Sequence, residues 1–250
     1  MTSITSLQDR LFQKYLERAL RQLPDTKRII EGQLRLNESS QRWRDAVEII
    51  QAELPKRGWY LTGQETSLLT PRLARLAKEE NWTEIDRILV EQATGLVIDV
   101  AALAEWLKQH NVPDCCVERI RIFLKARDDG SHEISTLVGV PLIDELCRAL
   151  YGGRDFTSKR SGRQPKPQMA CNTNATTNRL THYCEGFVRS FGLIHEDVDP
   201  SKLDDEDYFN RSAIVHGMMR RSYGPKDSAK AFMALMFLVF ATNEENENTD

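Results

Sequence analysis

The stretch DYFNRSAIVHGMMRR, residues 207–221, places Arg211 and His216 five positions apart, with Ser212 beside the arginine. Those residue types suit phosphodiester chemistry. A histidine titrates near neutrality, so it can take a proton from an attacking hydroxyl or return one to a leaving oxygen. Arginine stays charged, and its planar fork binds a phosphate and the charge that develops during transfer. With the neighbouring 2′-OH of RNA as nucleophile the reaction needs no metal, and the sequence has no acidic cluster with a clear two-metal spacing. At about 100° per residue, Arg211 and His216 stand about 140° apart around a helix, whereas Ser212 and His216, at i and i+4, share a face. A long arginine side chain can swing around the helix to bring its guanidinium near the imidazole. Spacing alone leaves two readings open: a catalytic pair, or a surface arginine beside a satisfied histidine.

The pair falls within a predicted helix over 203–219. Asp204, Asp205, Glu206 and Asp207 crowd its start, where carboxylates favour the positive end of the helix dipole, and Ala213, Ile214 and Val215 give it a packed side. Beyond the turn YGPKDS, the run AFMALMFLVFA predicts a last helix over 229–242, apolar on every side except at Lys230 and so expected in the middle of a bundle. That run is shorter than the roughly 20 apolar residues of a membrane span, and no membrane association is expected.

Helical periodicity also predicts elements over 7–23, closed by Pro24, and over 28–36 and 41–54, the last broken by Pro55 and Gly58. Further helices are predicted over 71–79, 82–94, 101–110, 114–125 and 177–191. Another, over 141–150, has Pro141 suited to its first turn. Strand signals are nearly absent, so the fold class is all-α. The organisation expected is an N-terminal helical region (1–56), a helical domain (57–243) and an acidic disordered tail (244–250). Between the predicted helices, residues 157–168 (TSKRSGRQPKPQ) read as a mobile basic loop, a solvated connection or a holder of phosphates.

A chain of 250 residues with 40% hydrophobic content is globular in composition. Its net charge of −3 and pI near 6.0 argue against a protein covered in basic surface, although a local basic patch is compatible with them. The N-terminus carries charges throughout and lacks a secretory signal, so a cytoplasmic protein is expected. The five cysteines, Cys115, Cys116, Cys147, Cys171 and Cys184, form no CxxC pair and read as free thiols. Cys171, His182 and Cys184 lack a fourth ligand and the usual zinc spacing, so no metal and no cofactor is expected.

The stretch FNRSAIVHGMMRRSYGPKDSAKAFMALMFLVF resembles the C-terminal signature of HEPN domains, the helical higher-eukaryote and prokaryote nucleotide-binding family, whose hallmark is Arg, four to six residues, then His. The likeness continues through Gly217, Tyr223-Gly224, Lys230 and the hydrophobic run Phe232 to Phe240. Upstream, RGWYLTG and VPLIDELCRALYGGRDF resemble segments that recur in such proteins, so the resemblance covers residues 57–242. It implies a HEPN-like helical bundle that forms a homodimer, with two copies of the motif composing one metal-independent endoribonuclease site. It implies RNA as substrate, a toxin or anti-phage role, and an antitoxin or other defence protein as a possible partner. Carried over, His216 is the acid/base and Arg211 the phosphate-binding and transition-state-stabilising group. Ser212 follows the arginine, where Asn, Asp or His is more usual, and its shorter reach makes it the departure from the pattern. Asn210, Lys230, Arg220 and Arg221 are candidate RNA contacts; the alternatives are a helix-surface residue, a surface cation at the head of the last helix, and a solvated helix end. The competing reading is a non-catalytic HEPN module binding RNA, a nucleotide or a protein partner, with residues 1–56 as a docking element.

Overall fold

Apolar residues recurring at offsets of three and four turn into helix throughout the computed structural model, which describes residues 24–61, 69–150 and 197–246. Among the described residues there are eight α-helices and no strand, so the protein is all-α. These are α1 (Pro24–Glu53), α2 (Leu69–Lys78), α3 (Trp82–Gly95), α4 (Val100–Gln109), α5 (Asp114–Asp128), α6 (His132–Leu150), α7 (Arg211–Val215) and α8 (Pro225–Asn246). No helix among them is long and apolar enough to cross a membrane. The chain divides into two compact units, residues 1–45 and 46–250, so the division falls inside α1.

Within the larger unit, α8 is the central element and packs against α6 and α3, while α6 also packs against α5 and α7. Its residues Ala229, Ala231 to Leu235 and Phe237 to Val239 are all buried, as an all-round apolar helix requires. Before α2 the chain turns through a 3-10 helix (Pro55–Arg57) into Gly58, whose φ of 78° is left-handed. A Cβ there would lie 2.8 Å from the Phe209 ring, so only glycine lets the buried Trp59–Tyr60–Leu61 segment pass beside the approach to α7.

The predicted helices over 71–79, 82–94, 101–110 and 114–125 correspond to α2 to α5, with ends shifted by no more than three residues. Elsewhere the boundaries differ. The stretches 28–36 and 41–54 form one helix, described from Pro24 to Glu53. Pro141 sits inside α6 rather than at a start. Such a proline costs about 3 kcal/mol in an isolated helix, and here the buried neighbours Val140, Leu142 and Ile143 hold the helix through it. At its end α8 continues past Thr242 to Asn246, into the acidic stretch.

The largest correction concerns the predicted helix over 203–219, of which only Arg211–Val215 is α-helical. Side chains outbid the helix for its backbone groups. Asp205 accepts from Asp207 N–H (2.8 Å), the local bond by which aspartate favours turns. The Arg221 guanidinium takes the carbonyls of Asp205 (3.1 Å) and Tyr208 (3.3 Å), which a helix would need for itself. The predicted helices over 7–23 and 177–191, the basic loop 157–168 and the set Cys171, His182 and Cys184 lie outside the described residues.

Candidate active site

Two prior commitments fix the start of α7. Arg221 forms a two-pronged pair with the buried Asp227 (2.7 and 2.8 Å) and so welds the 205–208 turn to the head of α8. The pair's hydrogen bonds raise the already high Arg221 pKa. Asn210 then caps α7: its Oδ1 accepts the Ala213 N–H at 3.0 Å, and the residue is 2% exposed.

From that cap the helix runs for little more than one turn. Ala213 and Ile214 are buried, and Val215, His216, Gly217 and Met218 are exposed. The far end closes as a Schellman motif: Gly217 N–H returns to Ile214 O (3.1 Å) and Met218 N–H to Ala213 O (2.8 Å), with Gly217 at φ 63°. This closure accounts for glycine directly after the histidine. His216 is therefore the C-terminal cap, its backbone fixed by the Ser212 carbonyl (3.1 Å) and its ring in solvent.

Arg211, at the opposite end, is tethered. Its Nη2 is ion-paired with Oδ2 of Asp144 on α6; the arginine side chain is 27% exposed and the aspartate side chain 4%. Arg211 Nε and Asp144 Oδ1 are both buried, and neither has a hydrogen-bond partner among the described residues. Ser212 is half-buried next to this pair. The motif thus consists of an anchored guanidinium, an exposed imidazole and a hydroxyl between them on one short, doubly capped helix. Such an arrangement can bind an anion at one end and exchange a proton at the other.

Below the approach to α7 lies a second set of charges. Lys226 bridges Asp86 (3.2 Å) and Asp207 (2.5 Å), Trp59 donates to Asp86 (2.8 Å), and Arg57 stacks over Trp82 (4.1 Å). The Lys226 hydrogen bond holds the Asp207 carboxyl below the usual carboxylate range. Burial works against the Lys226 charge, yet its bond to Asp207 and the nearby carboxylates carry its pKa upward. Trp82, Asp86, Asp207 and Lys226 line an acidic groove of about 790 Å³ together with Arg87 and Asp205. Deeper still, Lys230 is 1% exposed between the rings of Trp59 (5.6 Å) and Phe209 (5.7 Å), with the Asp207 carbonyl 3.4 Å away.

Of the sequence-predicted residues, then, Arg211, Ser212 and His216 share α7 and its cap. Asn210, Arg221 and Lys230 are engaged inside the protein, and Arg220 alone of the four candidate RNA contacts is well exposed, at 64%, with Asp204 3.6 Å from it. Sequence reasoning passed over Asp144. A signal for it existed: Val140, Asp144 and Cys147 fall on one buried stripe of α6, and a carboxylate on such a stripe demands a cation. No group of three or more His, Cys, Asp or Glu side chains among the described residues is arranged to hold a metal. Comparison with protein-family models, with curated proteins and with solved structures finds no match for the chain.

Proposed function

We propose that the protein is a metal-independent endoribonuclease of HEPN type, acting on RNA as a homodimer in a toxin or anti-phage role. The observation that supports it is an exposed His216 held one turn from an anchored Arg211 on a helix whose sequence follows the Arg-x4-His pattern. In the reaction, His216 of one copy takes the proton of a ribose 2′-OH and the oxygen attacks the adjacent phosphorus. The bond from phosphorus to the 5′-oxygen breaks, the leaving oxygen takes a proton from His216 of the other copy, and a cyclic phosphate and a 5′-hydroxyl result. Arg211 binds the phosphate and the negative charge that grows on it. Arg220 adds an exposed cation, while the carboxylates of the 204–207 run disfavour RNA on that side.

The test compares the purified wild type and His216→Ala on RNA, read by gel. The exposed ring contributes nothing to the core, so the variant is expected to fold, and cleavage is expected to fall roughly 10²- to 10⁴-fold. Equal cleavage by both proteins would sink the proposal. A second reading, a non-catalytic HEPN module binding RNA, a nucleotide or a protein partner such as an antitoxin, is favoured by one specific feature: Ser212 stands where a longer polar side chain is usual. RNA bound tightly yet left intact by the wild type would establish that reading instead.

A further inference from the structure

Asp144 is the strongest unassigned group in the molecule. Its carboxylate sits on the buried stripe of α6, almost wholly removed from water, where a charge is tolerated only with a partner. That partner is Arg211. Arg148 donates to the Asp144 carbonyl (3.3 Å) and leaves the carboxylate to Arg211.

The contact is open on one side. An arginine fork reaches a carboxylate most strongly through two parallel bonds, yet here Nη2 pairs with Oδ2 while Arg211 Nε and Asp144 Oδ1 face no partner among the described residues. Orphaned buried groups of this kind are uncommon and call for a reason. Arg211 follows the Asn210 cap directly, so its backbone is fixed by the cap and its side chain by Asp144, whereas the imidazole of His216 is exposed, with no side-chain tether among the described residues. A group that must meet developing charge gains from being held in advance; a group that must carry a proton gains from reach.

We propose that Asp144 is the positioning residue of Arg211: its carboxylate grips the guanidinium through Nη2 and thereby fixes the edge that Arg211 presents to a scissile phosphate. The proposal rests on the ribonuclease reading of Arg211. Asp144 does not touch the substrate; it acts through the arginine.

The experiment has two arms. In the first, purified wild type, Asp144→Asn, Asp144→Glu and the apolar double variant Asp144→Leu with Arg211→Met are compared on a short RNA, each rate normalised to the folded fraction from its thermal melt. Asp144→Asn is expected to lower kcat roughly 10- to 100-fold with little change in KM, as a misplaced transition-state donor does. Asp144→Glu is expected to restore part of the rate, and the double variant to recover stability without activity. In the second arm, nitrogen-15 NMR of the Arg211 side chain is expected to show an ordered Nε–H in the wild type and a motionally averaged one in Asp144→Asn. A normalised kcat that survives Asp144→Asn, or an Arg211 signal that it leaves unchanged, overturns the proposal. Should the wild type cleave no RNA, the ribonuclease reading falls by itself, and the NMR arm still decides whether Asp144 positions Arg211.

Discussion

Replacing Lys230 by methionine removes a cation that folding takes fully out of water while keeping most of its apolar stem between Trp59 and Phe209. Burial pulls the lysine pKa from 10.5 down to about 8; Asp86, Asp227 and Asp207 oppose the shift and Lys226 adds to it. Because the folded value lies below the unfolded one, the unfolded chain binds more protons between the two. Stability therefore rises with pH through that window and is lowest below it. The whole displacement corresponds to about 3 kcal/mol, at about 1.4 kcal/mol per pH unit. About 1 kcal/mol of it is regained between pH 7 and pH 9, as the folded lysine gives up its proton while the unfolded one keeps it.

Other groups titrate with the opposite sign. Burial raises the Tyr223 hydroxyl and pushes the Cys116 thiol up to about 12, so each loses its proton first in the unfolded chain and lowers stability as the solution turns alkaline. Both are common to wild type and variant and cancel in the difference. Urea unfolding of the two proteins at pH 7, 8 and 9, followed by far-ultraviolet circular dichroism, isolates Lys230. Lys230→Met is expected to be the more stable protein at pH 7, with the gap narrowing by about 1 kcal/mol at pH 9. A gap that stays constant to within about 0.3 kcal/mol across the three pH values would show that Lys230 titrates as if in water, and the argument from its burial would fail.

Arg221→Met strands the buried Asp227 and releases the carbonyls of the 205–208 turn; it is expected to cost about 3–5 kcal/mol in urea unfolding, and Arg221→Lys to recover only part, since an ammonium cannot reproduce the two-pronged pair. Gly58→Ala forces a side chain into a left-handed backbone and against the Phe209 ring at 2.8 Å. An expected loss of about 2–3 kcal/mol follows from the strained backbone and the crowded ring together, and a variant that unfolds with the wild type in urea would refute it.

The parts of the fold written in local pattern were legible in the sequence, and the parts decided by distant residues were not. Helices α2 to α5 follow from apolar spacing between turn-forming breaks, both of which are read within a few residues. Pro141 misled because a proline shows locally that one N–H is missing, but only packing decides whether a helix begins at it or, as in α6, passes through it. The 203–219 stretch has helical residues, yet Arg221 draws the Asp205 and Tyr208 carbonyls out of any helix from beyond the stretch itself.

Chemistry divided along a similar line. Arg211 and His216 were visible because their spacing is carried by one short helix, and the Schellman closure at Gly217 keeps the histidine outside the core. Asp144 and Lys230 each put a charge on an apolar helix, which a reader of the sequence can recognise as a demand for a partner; Asp227, between Lys226 and Ser228, carries no such mark although it too is buried. Which partner answers depends on the helices that meet. Asp227 is answered by Arg221 a few residues earlier in the chain, and that pair consumes the arginine. Asp144 is answered from the far side of a long stretch of chain, by an arginine that keeps part of its side chain in solvent. Lys230 is answered by two aromatic faces, the Asp207 carbonyl and the more distant charges of Asp86, Asp227 and Asp207, which together do not offset its burial. What separates Arg211 from the others is not how well it is paired but where it lies: Arg221, Asp227 and Lys230 are spent inside the fold, whereas Arg211 combines a buried partner with a side chain that still reaches solvent.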